Sequence, residues 1–208
     1  MMIRVEETRT PEFWERWYKD GNHPPPVTPH EVQQFRAHVD VQIGMRVADI
    51  GCGNGRFTAH MAGWGLDIDA LDISSAAVDT ARARCADLPI PQPRFHVRDV
   101  NADSMPHVLQ HGSLDLVVCR YSLEFLDAQR LLVDVRRWLK PKGVLHITTH
   151  VAEKNVRIGP HRGLTDVVVQ DLGWGFRSVS RYSLDPVGSS IGIVLQEPAD
   201  TTPSWAEE

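Results

Sequence analysis

The sequence predicts a single-domain α/β protein built on a doubly wound, mainly parallel sheet. Three observations carry this. Val47-Ala48-Asp49-Ile50-Gly51-Cys52-Gly53-Asn54-Gly55-Arg56-Phe57 reads as a buried strand, a glycine turn and the start of a helix, the order in which doubly wound folds place a ligand at a helix N-terminus. Strand and helix patterns then alternate to about residue 149. Finally, Phe176–Leu184 and Ser190–Gln196 read as consecutive strands joined near Asp185-Pro186-Val187-Gly188, and so short a link makes an antiparallel hairpin.

Composition narrows the class. The chain has 208 residues, enough for one sizeable core but short of two full domains. Hydrophobic and charged fractions of 42% and 24% are those of an ordinary globular protein. A net charge of −5 without long runs of either sign disfavours avid binding to nucleic acid or anionic membranes. No apolar run approaches membrane-spanning length, and Met1–Thr10 lacks a signal-peptide core. Cys52, Cys85 and Cys119 are odd in number and fit no zinc spacing, so reduced thiols and a cytoplasmic location are expected. No metal site is expected from the histidines, and a monomer or homodimer fits the size.

Taken in order, residues 10–20 suit a helix. Thr10 can cap it, Pro11 fits its first position, and Glu12 and Glu15 favour its positive end. Trp14 and Tyr18 fall on one face, with Trp17 beside them. That aromatic face either packs on the core or forms a lid over a ligand. Pro24-Pro25-Pro26 then makes a stiff link. A second helix is expected at about 29–42, with Val32, Phe35 and Val39 at helical spacing.

The glycine loop is G-x-G-x-G, and Arg56 stands where a dinucleotide fingerprint would place its third glycine. A nicotinamide oxidoreductase is therefore disfavoured. The triplet alone would also serve an ordinary βα turn. Strand two ends in Asp72, about 20 residues past the first glycine, where such folds place an acid for ribose hydroxyls. Asp67 and Asp69, nearer the start of that strand, are expected to be solvated. Ser74 or Ser75 caps an alanine-rich helix that Pro89-Ile90-Pro91-Gln92-Pro93 ends. Phe95-His96-Val97 forms strand three, and Asp99 beyond it lies on the ligand edge, either toward an adenine amino group or as a local cap. Leu114–Cys119 is strand four. A helix over 127–139 follows, stopped by Pro141-Lys142-Gly143, and Val144–Thr149 is strand five. Residues 150–176 lose the rhythm and are rich in His, Gly and charge.

These motifs together resemble the class I S-adenosylmethionine-dependent methyltransferases. The resemblance rests on Asp49-x-Gly51-x-Gly53-x-Gly55, Asp72, Asp99, Leu114-Asp115-Leu116-Val117-Val118 and Trp138-Leu139-Lys140-Pro141-Lys142-Gly143-Val144-Leu145. It covers roughly residues 45–150. It implies a Rossmann-like, seven-stranded sheet with the C-terminal hairpin strand antiparallel, S-adenosyl-L-methionine as methyl donor, S-adenosyl-L-homocysteine as product and no metal. Phe13-Trp14-x-x-x-Tyr18-x-x-Gly21 also resembles the leading helix of thiopurine- and tellurite-type small-molecule methyltransferases.

The resemblance implies roles as well. Asp49 and the loop Gly51, Cys52, Gly53, Asn54 and Gly55 would hold the amino-acid end of the cofactor. Asp72 would bind the ribose, with Ile73 beside the adenine and Asp99 and Val100 at its edge. Cys119 would offer its carbonyl to the methionyl amine, and Trp14 and Tyr18 would cover the cofactor. Glu124, Tyr121 and His150 are the candidate acid-base groups near the acceptor. Their plainer alternatives are a helix-start acid, a wall residue and a strand-end surface residue. The Asn/Asp-Pro-Pro-Tyr signature of amino-methylating nucleic-acid enzymes is absent, with Cys119-Arg120-Tyr121-Ser122 in its place.

The expectation is thus methyl transfer to a nucleophilic N, O or S atom of a small molecule, without membrane or nucleic-acid partners. Residues 1–44 would form a helical lid, 45–198 the core, 150–176 the acceptor-pocket segment and 199–208 a polar tail. The rivals are an RNA or protein methyltransferase that borrows a partner's surface, and a non-catalytic cofactor-binding subunit.

Overall fold

A computed structural model describes residues 8, 10–88, 91–102, 109–155 and 160–198. The expected stop at Pro89-Ile90 and the tail 199–208 lie outside the described residues. Seven strands form one sheet: β1 (Arg46–Ile50), β2 (Asp67–Asp72), β3 (Arg94–Val97), β4 (Leu114–Arg120), β5 (Leu139–His150), β6 (Phe176–Ser183) and β7 (Ser190–Pro198). Their order is β3-β2-β1-β4-β5-β7-β6. The pairings among β1 to β5 are parallel, while β7 runs antiparallel to β5 and β6. The chain reverses direction across the sheet between β1 and β4, and in open α/β sheets such a switch point leaves a crevice at the strands' C-terminal ends.

Helices cover both faces. On one side α2 (Pro29–His38), α3 (Arg56–Gly63) and α4 (Ser75–Cys85) bury Phe35, Phe57, Met61, Val78 and Ala81 against Val47, Ile68, Leu116 and Val118. On the other, α5 (Ala128–Trp138) and α6 (Asp166–Asp171) bury Leu131, Val135 and Val169 against Ala48, Ile50, Val117 and Ile147. Adjacent strand residues such as Val117 and Val118 serve opposite cores because successive side chains point to opposite faces. Each fully buried large apolar side chain stabilises by about 1.5–3 kcal/mol, so neither layer is dispensable. Among the described residues no helix is long and apolar enough to cross a membrane.

The first helix, α1 (Pro11–Lys19), starts as expected: Thr10 Oγ1 accepts from the Phe13 amide at 3.3 Å. Three expectations change. The second helix stops at His38 rather than near residue 42, because Val39 turns extended and buries its side chain in the core. The 127–139 helix stops at Trp138, and β5 begins at Leu139, with φ −68° and ψ 140°. Pro141 disfavours helix in the residue before it, and the register jumps from Leu114↔Leu139 to Leu116↔Val144, so residues 140–143 bulge from the strand. Asp69 is not solvated. It is fully buried and accepts from Arg94 Nη2 at 2.8 Å, with His96 Nε2 2.9 Å away. Asp67, part-exposed, shares Arg94. These charges pin β2 to β3 at the edge remote from the crevice.

Candidate functional site

The crevice at the switch point holds a cavity of about 840 Å³, mouth included.

Its floor is the glycine loop. Gly51 has φ +70° and Gly53 φ +55°, conformations that a side chain resists by about 1–2 kcal/mol. Space forbids side chains there as well. A Cβ on Gly51 would overlap Ser122, and one on Gly53 would lie 2.5 Å from the Tyr18 hydroxyl. The loop is thus sandwiched between the β4 exit and α1. Asp72 braces it, its Oδ2 accepting from the Gly53 amide at 2.8 Å and its Oδ1 from the Ser74 amide at 2.9 Å. Behind them Asp49 Oδ2 accepts from Thr58 Oγ1 at 2.6 Å. Burial raises both carboxyls to about 6, against the hydrogen bonds that pull them down.

Two buried polar atoms on this wall, Asn54 Oδ1 and Arg56 Nε, have no hydrogen-bond partner among the described residues. No side chain caps α3 at Gly55 among the described residues, and Arg56 and Phe57 of its first turn line the crevice. Orphaned groups of this kind call for a polar ligand.

The roof is α1. Glu15 reaches across to the start of α4, accepting from Ser74 Oγ at 2.8 Å, Ser75 Oγ at 3.0 Å and the Ala76 amide at 3.1 Å. Those bonds, led by the Ala76 amide, hold its carboxyl at about 2. Trp14 donates Nε1–H to the Thr8 carbonyl at 2.7 Å and packs edge-on against Phe125, 4.7 Å between ring centres. Burial pushes the Tyr18 phenol well above its usual range. A second tie comes from β4. Arg120 donates Nε–H and Nη2–H to Glu31 at 2.6 and 2.9 Å, and Nη2–H also to the carbonyls of Pro25 and Pro26 at 3.0 and 3.1 Å. This pair is almost wholly buried.

The structure brings most of the expected residues to one cavity. Trp14, Tyr18, Asp49, Gly51, Cys52 and Asn54 line it, as do Asp72, Ile73, Asp99, Val100 and Tyr121. Asp99 also accepts from the Asn101 amide at 2.9 Å, so the local-cap alternative holds beside the ligand-edge placement. Gly53 lies beneath Tyr18, and Cys119 is fully buried, its thiol raised by burial. Gly55 caps α3 without reaching the lining.

The three acid-base candidates part company. Tyr121 lines the cavity in a left-handed conformation, φ +52°, with the Arg120 guanidinium 4.9 Å from its ring centre. His150 is fully buried and outside the lining. Its Nδ1 lies 2.9 Å from Ser190 Oγ, and its ring packs behind Tyr121 at 4.6 Å. A surface position, its plainer alternative, is therefore corrected. Glu124 lies in a 3-10 turn, Leu123–Phe125, and faces away from the lining, Oε2 accepting from the Gly163 amide at 2.5 Å.

Sequence reasoning missed His161. It lines the cavity within 6.4 Å of the ring centres of Trp14, Trp17, Tyr121 and Phe125. The His- and Gly-rich character of 150–176 was a signal for the segment but not for the residue. Arg120 with Glu31 and the Glu15 tether were missed for a different reason: the partners are 89 and about 60 positions apart. No group of three or more metal-ligating side chains occurs among the described residues.

A family model described as "methyltransferase domain" matches residues 48–147. Those residues carry a class I S-adenosylmethionine-dependent methyltransferase domain. The chain is 31% identical over 136 residues to the ubiquinone biosynthesis O-methyltransferase of Xanthomonas oryzae pv. oryzae, a match covering 64% of this chain and 55% of that protein. It therefore spans about half the length of the curated relatives it matches. Phosphoethanolamine N-methyltransferase 2 of Haemonchus contortus, solved with S-adenosyl-L-methionine, superposes with a TM-score of 0.69 at 14% identity, covering 95% of this chain and 60% of that one. An S-adenosylmethionine-dependent methyltransferase from Mesorhizobium loti gives 0.63 at 18% identity, covering 80% and 97%. At such identities the likeness shows the fold. The methyltransferase domain supplies β1 to most of β5, whereas α1, α2 and the His161 segment lie outside the matched residues.

Proposed function

We propose that this protein transfers a methyl group from S-adenosyl-L-methionine to a nucleophilic oxygen, nitrogen or sulfur of a small molecule. The observation that carries the reading is one cavity with two unlike ends. One is a glycine loop braced by Asp72, with orphaned Asn54 Oδ1 and Arg56 Nε beside it; the other is an aromatic wall under α1.

The residues present fit the cofactor. Asp49, Gly51, Cys52 and Asn54 would hold its amino-acid end, Asp72 the ribose hydroxyls, and Ile73, Asp99 and Val100 the adenine. Cys119 would offer its backbone carbonyl to the amine, and Trp14 and Tyr18 cover the bound molecule. When bound, the sulfonium supplies an electrophilic methyl carbon, so the chain's own task is largely alignment and exclusion of water. Holding two reactants in line contributes up to about 7–11 kcal/mol of barrier reduction. The roof held by Glu15 and by Arg120 with Glu31 covers one side of the cavity, and a wall that excludes water there would strengthen polar contacts inside.

A small acceptor is favoured because Arg120, the arginine of the β4 exit, is engaged by Glu31 and presents no cation to a polyanion. The curated relatives named above are O-methyltransferases and the superposed neighbour an N-methyltransferase, so both atoms belong in the screen. The test is incubation with methyl-labelled S-adenosyl-L-methionine and a mixture of small phenols, amines and thiols, followed by mass spectrometry. Label in a small product is expected. Label appearing only on added RNA or protein, or on nothing while the cofactor binds, would overturn the reading.

A further inference from the structure

We propose that this protein forms a two-fold symmetric homodimer in which Trp174 of each copy enters the groove between α5 and α6 of the other. The inference concerns a surface outside the cavity and stands independently of the methyltransferase reading.

Among the described residues eight large apolar side chains are exposed, and they are not evenly scattered. Five of them, Val133, Val167, Val168, Trp174 and Val179, belong to α5, α6 and the stretch from Gly173 into β6. Single exposed apolar residues are ordinary, whereas a group of them marks a surface that another molecule covers. Trp174 is the extreme member, 79% exposed. An indole carries a large apolar area, and here nearly all of it is left in water.

The groove beside it has a volume of about 2,170 Å³, mouth included. Buried Leu164 and Leu172 and partly buried Leu126 and Leu132 make its floor, with exposed Val133 and Val168 on its rim. Trp174 borders this groove without filling it. Arg136 holds the indole from one side, its guanidinium carbon 5.5 Å from the ring centre. Gly175, at φ +83°, makes room for that arginine, since a Cβ there would overlap Arg136 Nη1. Gly173 does the same for Val179, whose Cγ2 would lie 2.8 Å from a Cβ at that position. The two glycines thus let the chain pass close beneath packed side chains, and Trp174 between them is a fixed knob. A knob already in place loses little freedom on binding.

Knob and hole on one face point to a second copy as the occupant. A foreign helix laid in the groove would bring its own apolar anchors and leave Trp174 at the margin, still wet. A second copy supplies a hole for every knob, because a two-fold contact uses the same patch twice. Charge agrees with this. The lining carries Arg136 together with Asp127 and Asp171, so a copy of the face offers opposite signs to it. Glu124, the remaining acid of the lining, is engaged by the Gly163 amide, and Asp166 and Arg181 beside the groove pair with each other at 2.9 Å.

The contact also reaches the cavity. The turn Leu123–Phe125 separates the two spaces: Leu123 and Glu124 line the groove, Phe125 lines the cavity and Leu126 lines both. A second copy seated in the groove therefore backs the wall that carries Phe125.

Sedimentation velocity of the full chain across the micromolar range is the test. Wild type should show monomer and dimer in a concentration-dependent ratio, with no larger species. Trp174→Ala should weaken the dimer at least roughly 30-fold, the loss typical of a central interface tryptophan. Val168→Asp spoils the hole but keeps the knob and should weaken it as well. Both positions are exposed, so neither change should lower Tm appreciably. Mixing the two variants should give a heterodimer tighter than either variant's self-association, because the knob of one meets the intact hole of the other. A wild type that stays monomeric, a dimer indifferent to both substitutions, no gain on mixing, or open-ended growth into larger species overturns the proposal. So does a monomer that floats with vesicles of phosphatidylethanolamine and phosphatidylglycerol as wild type but not as Trp174→Ala, which would make a bilayer the occupant.

Discussion

The two ends of the cavity are built differently. The Asp72 end is made of backbone: a glycine turn, amides bonded to one carboxylate, and the uncapped start of α3, all within residues 49–76. The His161 end is made of side chains brought from α1, the β4 exit and residues 161–163, held by ties between groups 39 to 89 positions apart. A backbone site asks little of the side chains around it beyond the glycines, whereas a side-chain site is defined by the particular residues that build it. The roof's ties are therefore expected to govern stability and acceptor choice, and the loop to govern cofactor affinity.

Breaking the roof should cost most. Glu31→Ala leaves the Arg120 guanidinium buried and unpaired, a loss of about 3–5 kcal/mol. A Tm fall of several degrees by calorimetry is expected. An unchanged Tm would mean that the pair does not hold α2 to β4. Gly51→Ala probes the floor. The left-handed strain of about 1–2 kcal/mol adds to about 1–3 kcal/mol of overpacking against Ser122. It should impair product binding beyond its effect on Tm, whereas Glu31→Ala should not. If both variants lost stability and affinity in proportion, the distinction between the two ends would be false.

The smallest expected effect is in pH. Asp49 and Asp72 sit at about 6 against 3.8 in an unfolded chain. Raised carboxyls contribute stability that is fully present below the unfolded value and lost as pH rises through the folded one. Glu15 and Asp185, held at about 2, act oppositely but only at lower pH. Between roughly pH 7 and 5 the ligand-free protein should therefore become slightly more stable as acid is added. Asp49→Asn with Asp72→Asn should flatten that slope in Tm measurements.

The same contrast explains what the sequence disclosed. The strand–glycine–helix order, Asp72 and Asp99 are local signals with fixed spacing, and the structure places Asp72 and Asp99 in the cavity lining. The Leu139 boundary needed one further step, since Pro141 already argued against helix before it. Asp69 misled because a carboxylate at a strand's start reads as solvated until Arg94 and His96 of β3 fall beside it. His161 was beyond reach. Nothing nearby in sequence marks it, and its meaning comes from Trp14, Phe125 and Glu124 converging from other elements.

Calorimetric titration of wild type and Asp72→Asn with S-adenosyl-L-methionine and S-adenosyl-L-homocysteine tests the central claim most directly. Asn keeps the shape but loses the charge that braces the loop and would receive the ribose. Micromolar binding by wild type, weakened roughly 10- to 100-fold in the variant, is the expected result, since hydrogen bonds to a charged group are worth about 1.5–3 kcal/mol. Equal affinity in both proteins, or no binding by folded wild type, would contradict the account.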